Sequence, residues 1–159
     1  MQSLSAARLF EDQRQDLQLE LLTESLASRR EITLSDINRP GMALMGFVGN
    51  FLPERIQILA QTELTYLDTL SDAQEREAID RLFQFEMPLI VICKELDVPP
   101  YLVQRANECQ VPVMRTPQST TPFIHSLTSY LDYMFAPQIS VHGSLVDVWI
   151  RSTAVVDDD

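Results

Sequence analysis

The chain has 159 residues, 45% of them hydrophobic and 22% charged, which suits one domain with an ordinary apolar core and excludes a disordered composition. Its 12 Lys and Arg against 23 Asp and Glu give a formal net charge of -11 and a pI near 4.5, a balance that repels polyphosphate chains and anionic membranes and argues against nucleic acid as a partner. No apolar run approaches the roughly 20 residues of a membrane span, and the N-terminus carries no apolar signal core.

Residues 3–16 have helical composition, with Leu4, Ala7 and Phe10 near one side. They lead into Leu17, Leu19 and Leu21, whose alternation with Gln18 and Glu20 predicts a half-buried strand. REITLSDI, residues 30–37, predicts a second strand. NRPGMALMG, residues 38–46, predicts a turn or short helix, because Pro40 cannot sit inside a ladder and Gly41 punctuates the chain. Arg39-Pro40-Gly41 could present backbone amides to an anion at a helix start, and a plain turn is the simpler reading. RIQILA, residues 55–60, is a third short strand. Ser71 with Gln74 three residues on is a capping-box pattern that opens a helix with Ile79, Leu82 and Phe83 as its apolar stripe.

The second half alternates more regularly. PLIVICK, PPYLVQRANECQ, VPVMR, TPFIHSLTSYLDYMF and SVHGSLVDVWI read as strand, helix, strand, helix, strand, which predicts an α/β domain with parallel pairing. Leu102, Ala106 and Cys109 form the inward stripe of the first of these helices. Thr121 as N-cap and Pro122 at the first helical position are expected to start the second. Phe123, Ile124, Leu127, Tyr130, Leu131 and Met134 give that helix a sheet-packing face, and His125 falls outside it. The final run, 140–150, predicts a buried strand in which His142 shares a face with Val146, Val148 and Ile150. A histidine so placed is most simply a hydrogen-bonded structural residue.

The residues on their own offer little chemistry. Lys94 is the sole lysine and has no glycine beside it, and no Gly-x-Ser-x-Gly elbow occurs, so a phosphate-cradling loop cannot be built from this sequence. Cys93 and Cys109 lie in apolar contexts without Cys-x-x-Cys spacing and read as reduced thiols of a cytoplasmic protein. No metal or cofactor is expected in this chain. Asp157 to Asp159 read as a solvated terminus.

REITLSDINRPGMALMGF, FLPERIQILAQTELTYLDTL, VPVMRTPQSTTPFI and SVHGSLVDV, in this order and spacing, resemble the N-terminal domain of HPr kinase/phosphorylase, over nearly the whole chain. That bacterial enzyme phosphorylates and dephosphorylates a serine of the sugar-transport phosphocarrier HPr in carbon catabolite regulation. The resemblance implies a single domain over 1–149 with a mostly parallel sheet flanked by helices, similar to Mur-ligase N-terminal domains, followed by a divergent acidic tail over 150–159. It implies that His142 is an active-site position, meaningful only together with a C-terminal P-loop kinase domain that binds ATP and Mg and is expected to be absent here. A natural truncation, a fragment with foreign tail residues and an internal deletion all remain open as explanations of the ending.

HPr and a homo-oligomer, a hexamer in the family, are the partners the resemblance implies, with no nucleic acid and no membrane. The expected role is assembly or regulation, with the chain inactive as an enzyme alone. A small-molecule binding module, for a nucleotide or metabolite, is the alternative, with Arg39, Arg55 and Arg115 as its loop or strand-end basic residues.

Overall fold

In the computed structural model, which describes residues 2–137, the β-branched runs of the sequence become the centre of one sheet. The elements in chain order are α1 (Ala6–Gln13), β1 (Glu20–Leu21), β2 (Ile37–Asn38), α2 (Gly41–Leu44), β3 (Ile56–Leu59), α3 (Gln61–Asp68), α4 (Asp72–Leu82), β4 (Ile90–Ile92), α5 (Pro100–Cys109), β5 (Val113–Arg115) and α6 (Thr120–Phe135). The strands lie in the order β1-β5-β4-β3-β2. β2 to β5 are mutually parallel, in the registers Ile37↔Ile56, Ile58↔Val91 and Val91↔Met114, and β1 closes the far edge antiparallel to β5 through Glu20↔Arg115. The mostly parallel α/β sheet expected from the alternation is thus present.

Every residue of β3 and β4 is buried, as expected of parallel strands covered on both faces. One core holds Ile56, Ile58, Leu89, Val91 and Met114 against Ala6 and Leu9 of α1 and Phe123, Leu127 and Leu131 of α6. The other holds Leu59, Ile90, Ile92 and Val113 against Leu44 of α2, Leu64 and Leu67 of α3, Ile79 and Leu82 of α4, and Leu102 and Ala106 of α5. The helices between successive parallel strands therefore share one face of the sheet, and α1 and α6 cover the other.

Several sequence expectations are corrected in detail. In the run 30–37 only Ile32 pairs before Ile37, in an isolated antiparallel bridge with Leu4. The chain ahead of it is held by side chains instead, with Ser28 Oγ donating to Arg30 O and Pro88 O, and Arg30 Nη1 donating to Glu86 O. α1 buries Ala6 and Leu9 and exposes Ala7, because the Ser5 hydroxyl accepts from Arg8 N and so fixes the helix start at Ala6. α6 starts after Ser119 rather than Thr121, which puts Pro122 at the third helical position, still among the amides that need no intrahelical acceptor. Cys109 is half-buried where full burial was expected. α3 was not anticipated. Ile90 and Val113 are fully buried, as befits strands covered on both faces, and the expected strand 140–150, with His142 and Val146, lies outside the described residues.

Candidate functional site

In open parallel sheets ligands bind beyond the carboxyl ends of the strands, where loops from neighbouring strands depart to opposite faces. The pair that does so here is β4, which leads to α5, and β5, which leads to α6 on the other face. The crevice between their loops is closed by hydrogen bonds. Lys94 N donates to Gln118 O at 3.0 Å, Glu95 N to Thr116 O at 2.8 Å and Thr116 N to Ile92 O at 2.9 Å. Arg115 Nη1 adds a bond to Leu96 O at 3.4 Å. Lys94 and Glu95 both stand in the left-handed region, at φ 66° and 55°, a conformation costly for non-glycine residues. Here it turns both amides toward the β5 loop.

Further along the same rim, Arg39 follows β2 and meets Glu63 of α3. Nε donates to Oε2 at 3.2 Å and Nη2 to Oε1 at 2.9 Å, while Ala60 N donates to the same Oε1 at 2.8 Å. Glu63 is 4% exposed, so this forked contact and the amide satisfy a carboxylate taken almost wholly out of water. Cys93, at the end of β4, lies beneath this rim. Burial pushes its thiol from an ordinary 9.0 up to about 11, against the opposing influence of Arg39 and of a hydrogen bond with Thr120. It is an inert core residue rather than a nucleophile.

The three basic residues singled out in the sequence do not gather at one point. Arg39 pairs with Glu63 at the carboxyl end of β2. Arg55 precedes β3 at the opposite end of the sheet, where Nη1 donates to Ile37 O at 3.4 Å and Nε has no partner. Arg115, at the end of β5, gives Nε and Nη2 to Glu20 Oε1. His142 lies outside the described residues, and His125 is exposed on α6. No group of three or more His, Cys, Asp or Glu among the described residues is placed to hold a metal ion, and no helix among them is long and apolar enough to cross a membrane. The described loops do not fit ATP with Mg: the strand-end guanidiniums are paired, and the glycines of 41–49 lie in and after α2 rather than in a loop between a strand and a long helix.

A feature that sequence reasoning missed lies beside Arg39. Met42 and Met45 project outward from α2 with 61% and 64% exposure, and Phe47 follows at 51%. A β-carbon added at Gly49 would come within 3.1 Å of the Phe47 ring, so that ring rests on the Gly49 backbone. Phe51 forms the next wall and is itself fixed against Phe85, with ring centroids 4.6 Å apart. Met42, Phe47 and Phe51, with Asn38, Arg39 and Pro40, bound a shallow pocket of about 210 Å³, and Met45 lies outside it. The sequence did carry a signal: none of the residues 40–53 is charged, in a chain where 22% are.

The fold and its strand-end rim define a small three-layer α/β domain whose polar groups serve mainly its own architecture. A family model described as HPr Serine kinase N terminus matches residues 4–131, and the chain belongs to that family. It is 37% identical over 134 residues to HPr kinase/phosphorylase of Thermoanaerobacter sp. (strain X514), covering 84% of this chain and 44% of that protein. It is 40% identical over 135 residues to the enzyme of Bacillus cytotoxicus, covering 85% and 44%. The chain thus spans less than half the length of these curated relatives. Among solved structures, the crystal structure of the CBS and DRTGG domains of the regulatory region of Clostridium perfringens pyrophosphatase, complexed with the activator diadenosine tetraphosphate, matches with a TM-score of 0.53. That match is 12% identical and covers 90% of this chain and 58% of the other, a likeness of fold.

Proposed function

We propose that the chain acts as an assembly and regulatory module of an HPr kinase/phosphorylase-type protein in the bacterial cytoplasm. In this reading phosphate transfer to and from a serine of HPr, with ATP and Mg, belongs to a kinase module that residues 2–137 do not supply, and His142 contributes only in its company. The observation that carries the reading is the state of the strand-end rim. Arg39 and Arg115 are held by Glu63 and Glu20, and the crevice between β4 and β5 is bonded shut. A rim so occupied has little left with which to grip a phosphate, whereas the uncharged, exposed face beside α2 has the character of a contact surface.

The test uses one of the matched relatives in three forms: intact, without its N-terminal region, and with this chain in place of that region. HPr phosphorylation and oligomeric state are followed in each. The deletion is expected to change one of these properties and the replacement to restore it. The chain alone, with ATP, Mg and HPr, is expected to transfer no phosphate. Phosphorylation of HPr by the chain alone, or a deletion without effect on either property, overturns the reading.

A further inference from the structure

We infer that the pocket lined by Asn38, Phe47, Asn50 and Phe51 binds a small, uncharged, planar heterocycle whose edge carries an N–H donor next to an acceptor, as a nucleobase does. The inference goes beyond the assembly reading and does not depend on it. It starts from an oddity of β3. Gln57 is fully buried in a strand whose other residues are all apolar, and a buried carboxamide is costly unless its groups are bonded. Its Nε2 donates to Leu52 O and to Arg55 O, both at 2.9 Å, which spends both hydrogens and leaves Oε1 to face β2. Asn38 Nδ2 donates to that oxygen at 2.8 Å. The Asn38 carboxamide is thereby held in one orientation, and its Oδ1 and second Nδ2 hydrogen have no partner among the described residues. Asn50, exposed on the same pocket, makes no side-chain hydrogen bond among them either.

The aromatic walls are set in advance as well. Phe47 rests on the Gly49 backbone and Phe51 packs on Phe85, so little side-chain freedom is lost when a ligand covers them. Aromatic faces stack on a planar ring, and a carboxamide reads the edge of such a ring through a paired donor and acceptor.

Size and charge narrow the ligand. The pocket's volume of about 210 Å³ lies below the roughly 300–1,000 Å³ of sites for drug-sized molecules, so it admits one ring system rather than a whole nucleotide. Arg39 is the one charged residue among those lining it. Its forked contact with the buried Glu63 would have to break before it gripped a phosphate, and the net charge of -11 repels anions in any case. A neutral ring meets neither obstacle.

Saturation-transfer NMR titration of the intact chain with 9-methyladenine and with 1-methyluracil is the test. At least one of the two is expected to bind with a Kd of about 0.1–1 mM. Phe47→Ala is expected to weaken that binding about 10-fold and, because the side chain is exposed, to leave the circular dichroism spectrum unchanged. Tyr133→Ala, at 79% exposure on α6, is expected to leave the affinity unchanged. The analogues 6-dimethylamino-9-methylpurine and 1,3-dimethyluracil keep the rings but lose the N–H donors, and are expected to bind about 10-fold more weakly. Adenosine and uridine 5′-monophosphates are expected to bind no more tightly than the bases.

Failure of both bases to bind at about 10 mM overturns the inference. So does binding that Phe47→Ala leaves intact, or equal binding of the donor-blocked analogues. Tighter binding of the monophosphates overturns it too, since phosphate rather than the ring would then be what the chain holds. Should Phe47→Ala fail to fold, the blocked analogues decide the matter on the unaltered protein. Each of these outcomes leaves the assembly reading to its own test in the relative.

Discussion

At the scale of single residues, two ion pairs with similar distances are expected to differ in worth because of what surrounds them. Arg39→Ala leaves Glu63 buried with only the Ala60 amide, and should lower stability by about 1–3 kcal/mol. Arg115→Ala releases Glu20, a carboxylate already half in water, and should cost about 0–1 kcal/mol. Urea midpoints of the two variants check this, and equal losses would mean that Glu63 is better hydrated than its position shows. The Cys93 thiol gives a pH dependence of known sign. Its folded pKa is raised, so its contribution to stability is complete below 9.0 and is lost as pH climbs through about 11. Cys93→Ala should flatten that part of the stability profile. In the native protein at pH 8, Cys109 should react with a thiol reagent well before Cys93.

At the scale of elements, α6 offers the sharpest contrast. Leu127 is fully buried between the sheet and α1, and Leu127→Ala should cost about 2–5 kcal/mol, while His125→Ala on the outer side should cost little. Comparable losses in urea melts would refute the packing described. This face was legible in the sequence because sixteen helical residues repeat their apolar positions often enough to define a stripe. α4 was legible from Ser71 and Gln74, whose reciprocal bonds are both present. α3 was not, since Ala60 offers no side-chain oxygen as a cap and Glu63 looks like an ordinary surface acid until it is seen to bond Ala60 N and Arg39. Nor could the run 30–37 reveal that its ladder begins only at Ile37, because pairing partners far along the chain decide where a strand begins. Of the site, the three arginines were visible but not their partners, and the uncharged stretch 40–53 was visible but not its exposure.

For the whole molecule, the two cores lie on opposite faces of the same strands, so neither can open without exposing β3 and β4. Unfolding should therefore be a single transition, with far-ultraviolet circular dichroism and tyrosine fluorescence giving coincident curves in urea. Separated curves would show that α1 and α6 detach while the other face survives. The parallel pairing of β4 with β5 was implied by the strand and helix alternation of the second half, whereas the full order β5-β4-β3-β2 was not. The antiparallel β1 was not, because its partner lies 95 residues away in sequence.

That distant pairing has a consequence for how the protein is made. Glu20 and Leu21 find Arg115 and Met114, and the Thr116 hydroxyl reaches Leu17 O across 99 residues, so the segment from Leu17 to Leu21 has no sheet partner until β5 exists, although Leu4 can already pair with Ile32. At about 5–20 residues per second, a ribosome leaves that interval open for roughly 5–20 s. Through it Leu9, Ile56, Ile58 and Val91 stand without Phe123, Leu127 and Leu131, which arrive last. The nascent chain can assemble α2 to α5 on one face as they emerge, but its other face has only α1 to cover it until synthesis reaches α6, and a chaperone that binds apolar segments has its opening there.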